Sequence, residues 1–312
     1  MAYSLYRLKF TTGLHMGLDS GGPSLDDGRM AIHSDTLFSA LCCELSNDTE
    51  IARLYDYFAS GVLTVSDALP YRGDELYLPK PILFLDAKRE GKEESKKALK
   101  ALEYIPLSFF AEYLKSLSGE RIDLKQFESS FGVLTIHERA AIKGVEQAQP
   151  YSVATWRFAN DSGLYILLRS ENDAARTFFE ETLTALGLSG IGGKRSSGLG
   201  KFAVENAPLP PELLALLDDE HAPYQMLLGT ALPADEELDE VLSGGWYLTV
   251  RRGGFVQSAS YAKKSLKKRT IYMLGAGSCL KKRFDGDIFD LSSGGNHPVW
   301  RCGKTLFVGV AL

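Results

Sequence analysis

Gly187–Phe202 reads GLSGIGGKRSSGLGKF; six of these residues are glycine, and its only charges are Lys194, Arg195 and Lys201. Glycine reaches φ > 0 and lets another backbone come close, at a cost in chain entropy. A soluble chain concentrates it where one of those properties is used. With serines and cations as donors and no carboxylate, the stretch suits an anion, a phosphate above all. Its candidate contacts are Gly190, Gly192, Gly193, Lys194, Arg195, Ser196, Ser197, Gly198, Gly200 and Lys201.

The elements leading to this stretch decide the fold. Ser4–Thr12 (SLYRLKFTT) interleaves apolar and charged residues as a strand does. A glycine-rich loop over 13–28, broken by Pro23, leads into IHSDTLFSALCCEL. There Ser34 or Asp35 can cap a helix whose Leu37, Phe38, Leu41, Cys42 and Leu45 recur at helical spacing. Phe131–Ile136 and Val153–Phe158 read as strands, separated by HERAAIKGVEQAQPYS, an arm too long for a tight hairpin. Gly163–Arg169 is a strand, Asn172–Leu186 an amphipathic helix, and Lys201–Val204 a short strand after the glycine loop. The order β–α–β–β–α–β is ferredoxin-like, with the glycine loop joining the second helix to the last strand.

Two segments fall outside that order. In 63–85, Pro79 and Pro81 bracket Lys80 and keep the chain extended. Lys88–Leu117 is helical in pattern, and the region of about 86–130 reads as an insertion. Pro208, Pro210 and Pro211 predict a boundary near residue 207. Beyond it, Tyr224–Ala231, Asp235–Leu242 and Trp246–Arg252 read as strand, short helix, strand. Ile271–Leu274, Ser278–Lys281 and Thr305–Val310 add further strands. The expectation is an α+β protein: a ferredoxin-like domain over 1–207 and a second, degenerate ferredoxin-like domain over 208–312.

At 312 residues, with 45% hydrophobic and 24% charged residues, the chain can bury a core in each domain. No apolar run approaches the ~18 residues of a membrane span, and the N-terminus lacks a signal peptide's apolar core. A cytoplasmic protein is expected. The four cysteines form no CxxC pair and are expected as free thiols, with no metal. Net charge is −5, but it is segregated. Residues 202–250 hold ten acids and no Lys or Arg; residues 251–283 hold ten cations and no Asp or Glu. The basic stretch, opening on Arg251 and Arg252, is either a face for a polyanion or simply solvated.

Familiar phosphate motifs fail. Gly193 and Gly198 have the spacing of a Walker A loop, but Leu199 stands where lysine is required. Gly198-Leu-Gly200-Lys-Phe-Ala203 fits a dinucleotide fingerprint, yet it enters a strand where a helix is needed. No HExxH or GxSxG is present, so no catalytic residue is assigned. Other candidate anion contacts are His33 and Ser34 at the first helix N-terminus. Arg139, at the base of the arm, is another, unless it pairs with Glu138 or Glu146.

GIGGKRSSGLGKF after a helix, HSDTLFSAL after the first strand, YLPKPI mid-chain and HPVWRCGKTLFVGV near the end resemble the RAMP superfamily of CRISPR proteins. The pattern is most similar to the subunits that cap the 5′ end of the guide in type III-A (Csm) effector complexes. The resemblance covers nearly the whole chain except Lys88–Ser130. It implies two ferredoxin-like (RRM-like) domains, no catalysis and no cofactor. It also implies a grip on the repeat-derived 5′ tag of the guide RNA. The neighbours it implies are the large polymerase-domain subunit, an adjacent backbone RAMP subunit and target RNA near a β-hairpin thumb, here His137–Ser152. Two rivals remain: a RAMP-type endoribonuclease using His33 or His15, and a scaffold that docks only proteins through residues 251–283.

Overall fold

β1 (Ala2–Phe10) is the spine of the main sheet in the computed structural model, which describes residues 2–17, 25–83, 101–118, 122–127, 129–141, 149–258 and 260–311. It pairs antiparallel with β8 (Ser162–Ser170) through Leu5↔Leu167, and on its other edge with β9 (Phe202–Ala207) through Leu8↔Val204. Beyond β8 lie β2 (Leu63–Val65), β3 (Leu69–Arg72), β4 (Glu75–Pro79) and β5 (Tyr104–Pro106), giving the order β5-β4-β3-β8-β1-β9, with β2 also on β8.

Both faces of this sheet are covered, which is why β8 reads as an almost unbroken apolar run. Tyr6, Leu8, Leu164, Ile166 and Leu168 pack with α1 (Ser34–Glu44), α2 (Asp48–Ala59) and α4 (Asp173–Ser189). Leu5, Tyr165 and Leu167 point the other way. They share a core with α3 (Phe110–Leu117) and with Leu213, Leu217, Met226 and Val308 from the C-terminal third.

Three expectations are corrected here. The strand following α1 in the sheet comes from 63–72, whereas Phe131–Ile136 and Val153–Phe158 belong to a separate ribbon of β6 (Gly132–Ala141) and β7 (Gln149–Phe158). The apolar residues of β6 imitate a core strand, but Val133, Leu134 and Ile136 are exposed. Lys88–Leu117 is not one helix: Pro106 ends β5, a 3-10 turn covers Leu107–Phe109, and α3 starts only at Phe110. Residues 84–100, and with them the charged start of that segment, lie outside the described residues, as do Pro23 and the arm tip at 142–148. Finally, neither Ser34 nor Asp35 caps α1, because His33 holds that position.

In the C-terminal third, Pro211 opens α5 (Pro211–Asp218) at its first turn, where the missing N–H is no loss. β10 (Tyr224–Leu227) lies between β13 (Cys279–Leu280) and β16 (Phe307–Val310), with α6 (Leu238–Leu242) beside them in sequence. Two ribbons complete it: β11 (Thr249–Arg252) with β12 (Ile271–Leu274), and β14 (Ile288–Asp290) with β15 (Trp300–Cys302). The protein is a mixed α+β fold of antiparallel sheets.

Candidate nucleic-acid interface

The glycine stretch begins as the end of α4, whose N-terminus is capped by the Asn172 side chain accepting from the Ala175 N–H at 2.8 Å. The helix stops at Gly190, with φ 91. The loop then folds back onto residues 13–15: the Gly193 N–H donates to His15 O at 2.9 Å and the Gly200 N–H to Gly13 O at 2.9 Å. A Cβ on Gly193 would lie 2.5 Å from the His15 ring, so the close approach itself demands glycine there. His15 is buried beneath, its Nδ1 2.7 Å from Ala154 O.

Part of the glycine density therefore serves packing. The N–H groups of Gly193, Ser197, Gly198 and Gly200 are all bonded within the fold. What the loop offers an anion is chiefly Lys194 and Arg195, half-buried, with Ser196, Ser197 and Lys201 exposed. Lys194 is the one non-glycine with positive φ among the described residues, at φ 60 and ψ 27. Such a conformation is sparsely populated and persists only where the surroundings hold it.

Two other elements meet the loop. Lys194 Nζ sits 4.6 Å from the centroid of the Tyr151 ring. Tyr151 is directly opposite Arg139 in the β6–β7 ribbon, which puts Arg139 on the same face. At the other end, the charges of Arg195 and Lys268 both act on the exposed Cys43 thiol in the last turn of α1. Arm and glycine loop thus bring Arg139, Tyr151 and Lys194 onto one track, and the charges of the next residue, Arg195, and of Lys268 both reach the Cys43 thiol. Sequence reading missed Tyr151, whose only signal was an aromatic at the base of the arm.

Three sequence candidates are not on this track. His33 Nδ1 lies 2.6 Å from Asp67 Oδ2, and Asp67 Oδ1 accepts from the Ser34 and Thr230 N–H groups at 2.7 and 2.8 Å. The anion at the α1 N-terminus is thus the protein's own Asp67. The Ser34 hydroxyl is 3.1 Å from Thr230 Oγ1, in the buried interior. Arg252 is buried, its Nε and Nη2 2.9 and 3.0 Å from the carboxylate of Asp35. Arg301 takes the same carboxylate. Burial opposes ionisation of Asp35, yet the Arg301 and Arg252 charges outweigh it and hold the carboxyl well below the usual carboxylate range. His33, Ser34 and Arg252 are therefore corrected to structural partners.

The charge segregation is partly internal too: Lys282 pairs with Glu240 at 2.6 Å, and Arg283 with Glu220 at 3.5 Å. Arg251 is exposed on β11, opposite the exposed Tyr272. Among the described residues no cluster of His, Cys, Asp or Glu could hold a metal, and no helix is long and apolar enough to cross a membrane.

The CRISPR Csm4 C-terminal domain family matches residues 220–310. The CRISPR system Cms protein Csm4 of Mycobacterium tuberculosis (strain ATCC 25618 / H37Rv) is 35% identical over 93% of this chain and 93% of its own length. The chain belongs to the Csm4 family. The Csm4 protein of Streptococcus thermophilus is 33% identical over 98% of both chains. The Csm4-family fold is also found in solved structures. A chain of the Csm3–Csm4 subcomplex of the type III-A CRISPR-Cas interference complex matches 99% of this one with a TM-score of 0.67 at 19% identity. A chain of the Csm1–Csm4 cassette in complex with pppApA matches all of it with a TM-score of 0.63 at 21% identity.

Proposed function

We propose that this Csm4-family chain is a non-catalytic RNA-binding subunit of a type III-A CRISPR interference complex, holding the repeat-derived 5′ tag of the guide RNA. The observation that carries this is the meeting of the arm with the glycine loop, where Lys194 stands over Tyr151 with Arg139 on the same face. It makes a cationic track with an aromatic ring, as single-stranded RNA binders use. In this reading the protein joins the large subunit to the backbone. That fits relatives solved as Csm1–Csm4 and Csm3–Csm4 assemblies.

The arm His137–Ser152 is the thumb near target RNA, and the ribbon that carries it exposes Val133, Leu134 and Ile136 at its base. The domains divide near 207, and each is a ferredoxin-like variation. The order β9-β1-β8-β3, with α1 and α4 among the helices on one face, is what supports this for the first. The protein works in the cytoplasm without a cofactor.

The test replaces Lys194 and Arg195 by Ala and measures tag-RNA affinity against salt. Each phosphate neutralised on a single strand contributes about −0.7 to the log–log slope, so the double variant should flatten it by up to about 1.4. An unchanged slope removes the phosphate role from the loop.

A further inference from the structure

Arg301 is 2% exposed, and within its guanidinium Nη1 meets Asp35, while Nε and Nη2 are buried with no hydrogen-bond partner among the described residues. A guanidinium carries five N–H donors in a planar fork, and burying such donors unsatisfied is costly. Arg252, 8% exposed, holds the same carboxylate with its own Nε and Nη2. The half-buried Lys268 also feels the charges of Arg301, Asp35 and Arg252. Asp67, the other buried carboxylate at the start of α1, is occupied by His33, Ser34 and Thr230. Two guanidiniums therefore share one carboxylate, and the donors left over belong to the more buried of them.

We propose that Arg301 and Lys268, with Arg252 behind them, form a site for a phosphate-type oxyanion. In the assembled particle one backbone phosphate of the guide fills it, a source that rests on the RNA-holding reading above. The planar Nε/Nη2 edge of an arginine matches two oxygens of a phosphate, and lysine adds a point charge. The site continues the cation track: Lys268 acts with Arg195 on the Cys43 thiol and is flanked by the exposed Lys267 and Arg269. That continuity favours a phosphate of the same polyanion over a carboxylate from a protein neighbour. It also gives a role to the arginine of HPVWRCGK, which the glycine loop leaves unexplained.

The thermal unfolding midpoint of the full chain in inorganic phosphate, against chloride at equal ionic strength, tests the site. Phosphate should raise the midpoint of the wild type and of the Lys194→Ala/Arg195→Ala variant. Lys268→Gln and Arg301→Met should lose that rise; in the latter Arg252 still pairs with Asp35. An equal rise in every variant is the general salting effect of phosphate, and it overturns the proposal, as does no rise at all. With a tag oligonucleotide bound, phosphate should add nothing further, and Lys268→Gln should reduce the salt slope by about 0.7. Continued stabilisation of the RNA-bound protein by phosphate would overturn the RNA source and leave the free ion as ligand. A wild type insensitive to phosphate, combined with loss of large-subunit binding in Lys268→Gln, would overturn the site in favour of an acidic partner. Should Lys194→Ala/Arg195→Ala leave tag affinity untouched, the RNA reading of the loop fails, while the phosphate measurement still decides this site.

Discussion

Replacing Asp35 by Asn keeps the side-chain shape but removes the charge that two buried guanidiniums share. The carboxylate lies at 0% exposure, with Arg252 Nε at 2.9 Å, Arg252 Nη2 at 3.0 Å and Arg301 Nη1 in contact. Breaking a buried ion pair on one side costs about 3–5 kcal/mol, because the partner charge stays out of water. With a urea m-value of about 3 kcal/mol/M, the denaturation midpoint should fall by about 1–1.7 M. Equilibrium unfolding of the full chain, followed by tryptophan fluorescence and far-ultraviolet dichroism together, reads that shift and tests for a single transition. The floor is set by Arg72→Ala, whose pair with Asp161 at 3.1 Å is half-exposed on both sides and contributes little. If Asp35→Asn moves the midpoint no more than that control, the triad is not holding α1 to β11 and β15. The converse variant, with Asp35→Leu, Arg252→Met and Arg301→Met combined, should recover most of the loss, since an apolar triad has no charges to desolvate.

Acid should expose the same triad. A carboxyl held below its unfolded value near 3.9 stabilises the fold above that pH and loses its contribution as pH falls through the folded value. The acid limb of the stability curve should therefore be steeper in the wild type than in Asp35→Asn. At the alkaline end burial, with Arg301 adding to it, lowers Lys268 to about 8 from 10.5. Between those values the unfolded chain binds more protons, so stability should rise with pH there, and Lys268→Gln should flatten the rise. Gly193→Ala should destabilise by about 1–3 kcal/mol because the His15 ring must move, whereas Gly17→Ala, with nothing within 4 Å among the described residues, should be near neutral; urea midpoints compare the two. Val133→Thr with Ile136→Thr should leave stability within about 0.5 kcal/mol, both side chains being about 60% exposed. The same pair should alter nuclease protection of target RNA in the assembled complex.

Much of the architecture was legible because periodicity and burial agree. Ala175, Phe178, Phe179, Leu183 and Leu186 mark the buried side of α4 both by spacing and by packing. Where the two part, the reading failed. β6 carries core-like residues, Val133, Leu134 and Ile136, on the side of its ribbon that stays exposed, and only pairing across the fold shows that β3 takes the place beside β8. The glycine loop was found from composition alone, but composition cannot separate glycines that admit an anion from those that admit His15. Charges behave likewise. Arg251 and Arg252 are neighbours in sequence, yet alternation along β11 leaves one exposed and sends the other to Asp35, a residue 217 positions away. No local window contains that partner.

Among the described residues β1 pairs only with distant strands, β8 and β9, with Leu5 facing Leu167 on one edge and Ala207 on the other. On a ribosome adding about 5–20 residues per second, the first strand therefore waits on the order of 8–32 s for β8 and about 10–40 s for β9. Through that interval a nine-residue strand carrying Leu5, Tyr6, Leu8 and Phe10 presents two unpaired edges. Soluble yield should therefore respond to translation speed across 162–207, where both edges of this strand find their partners.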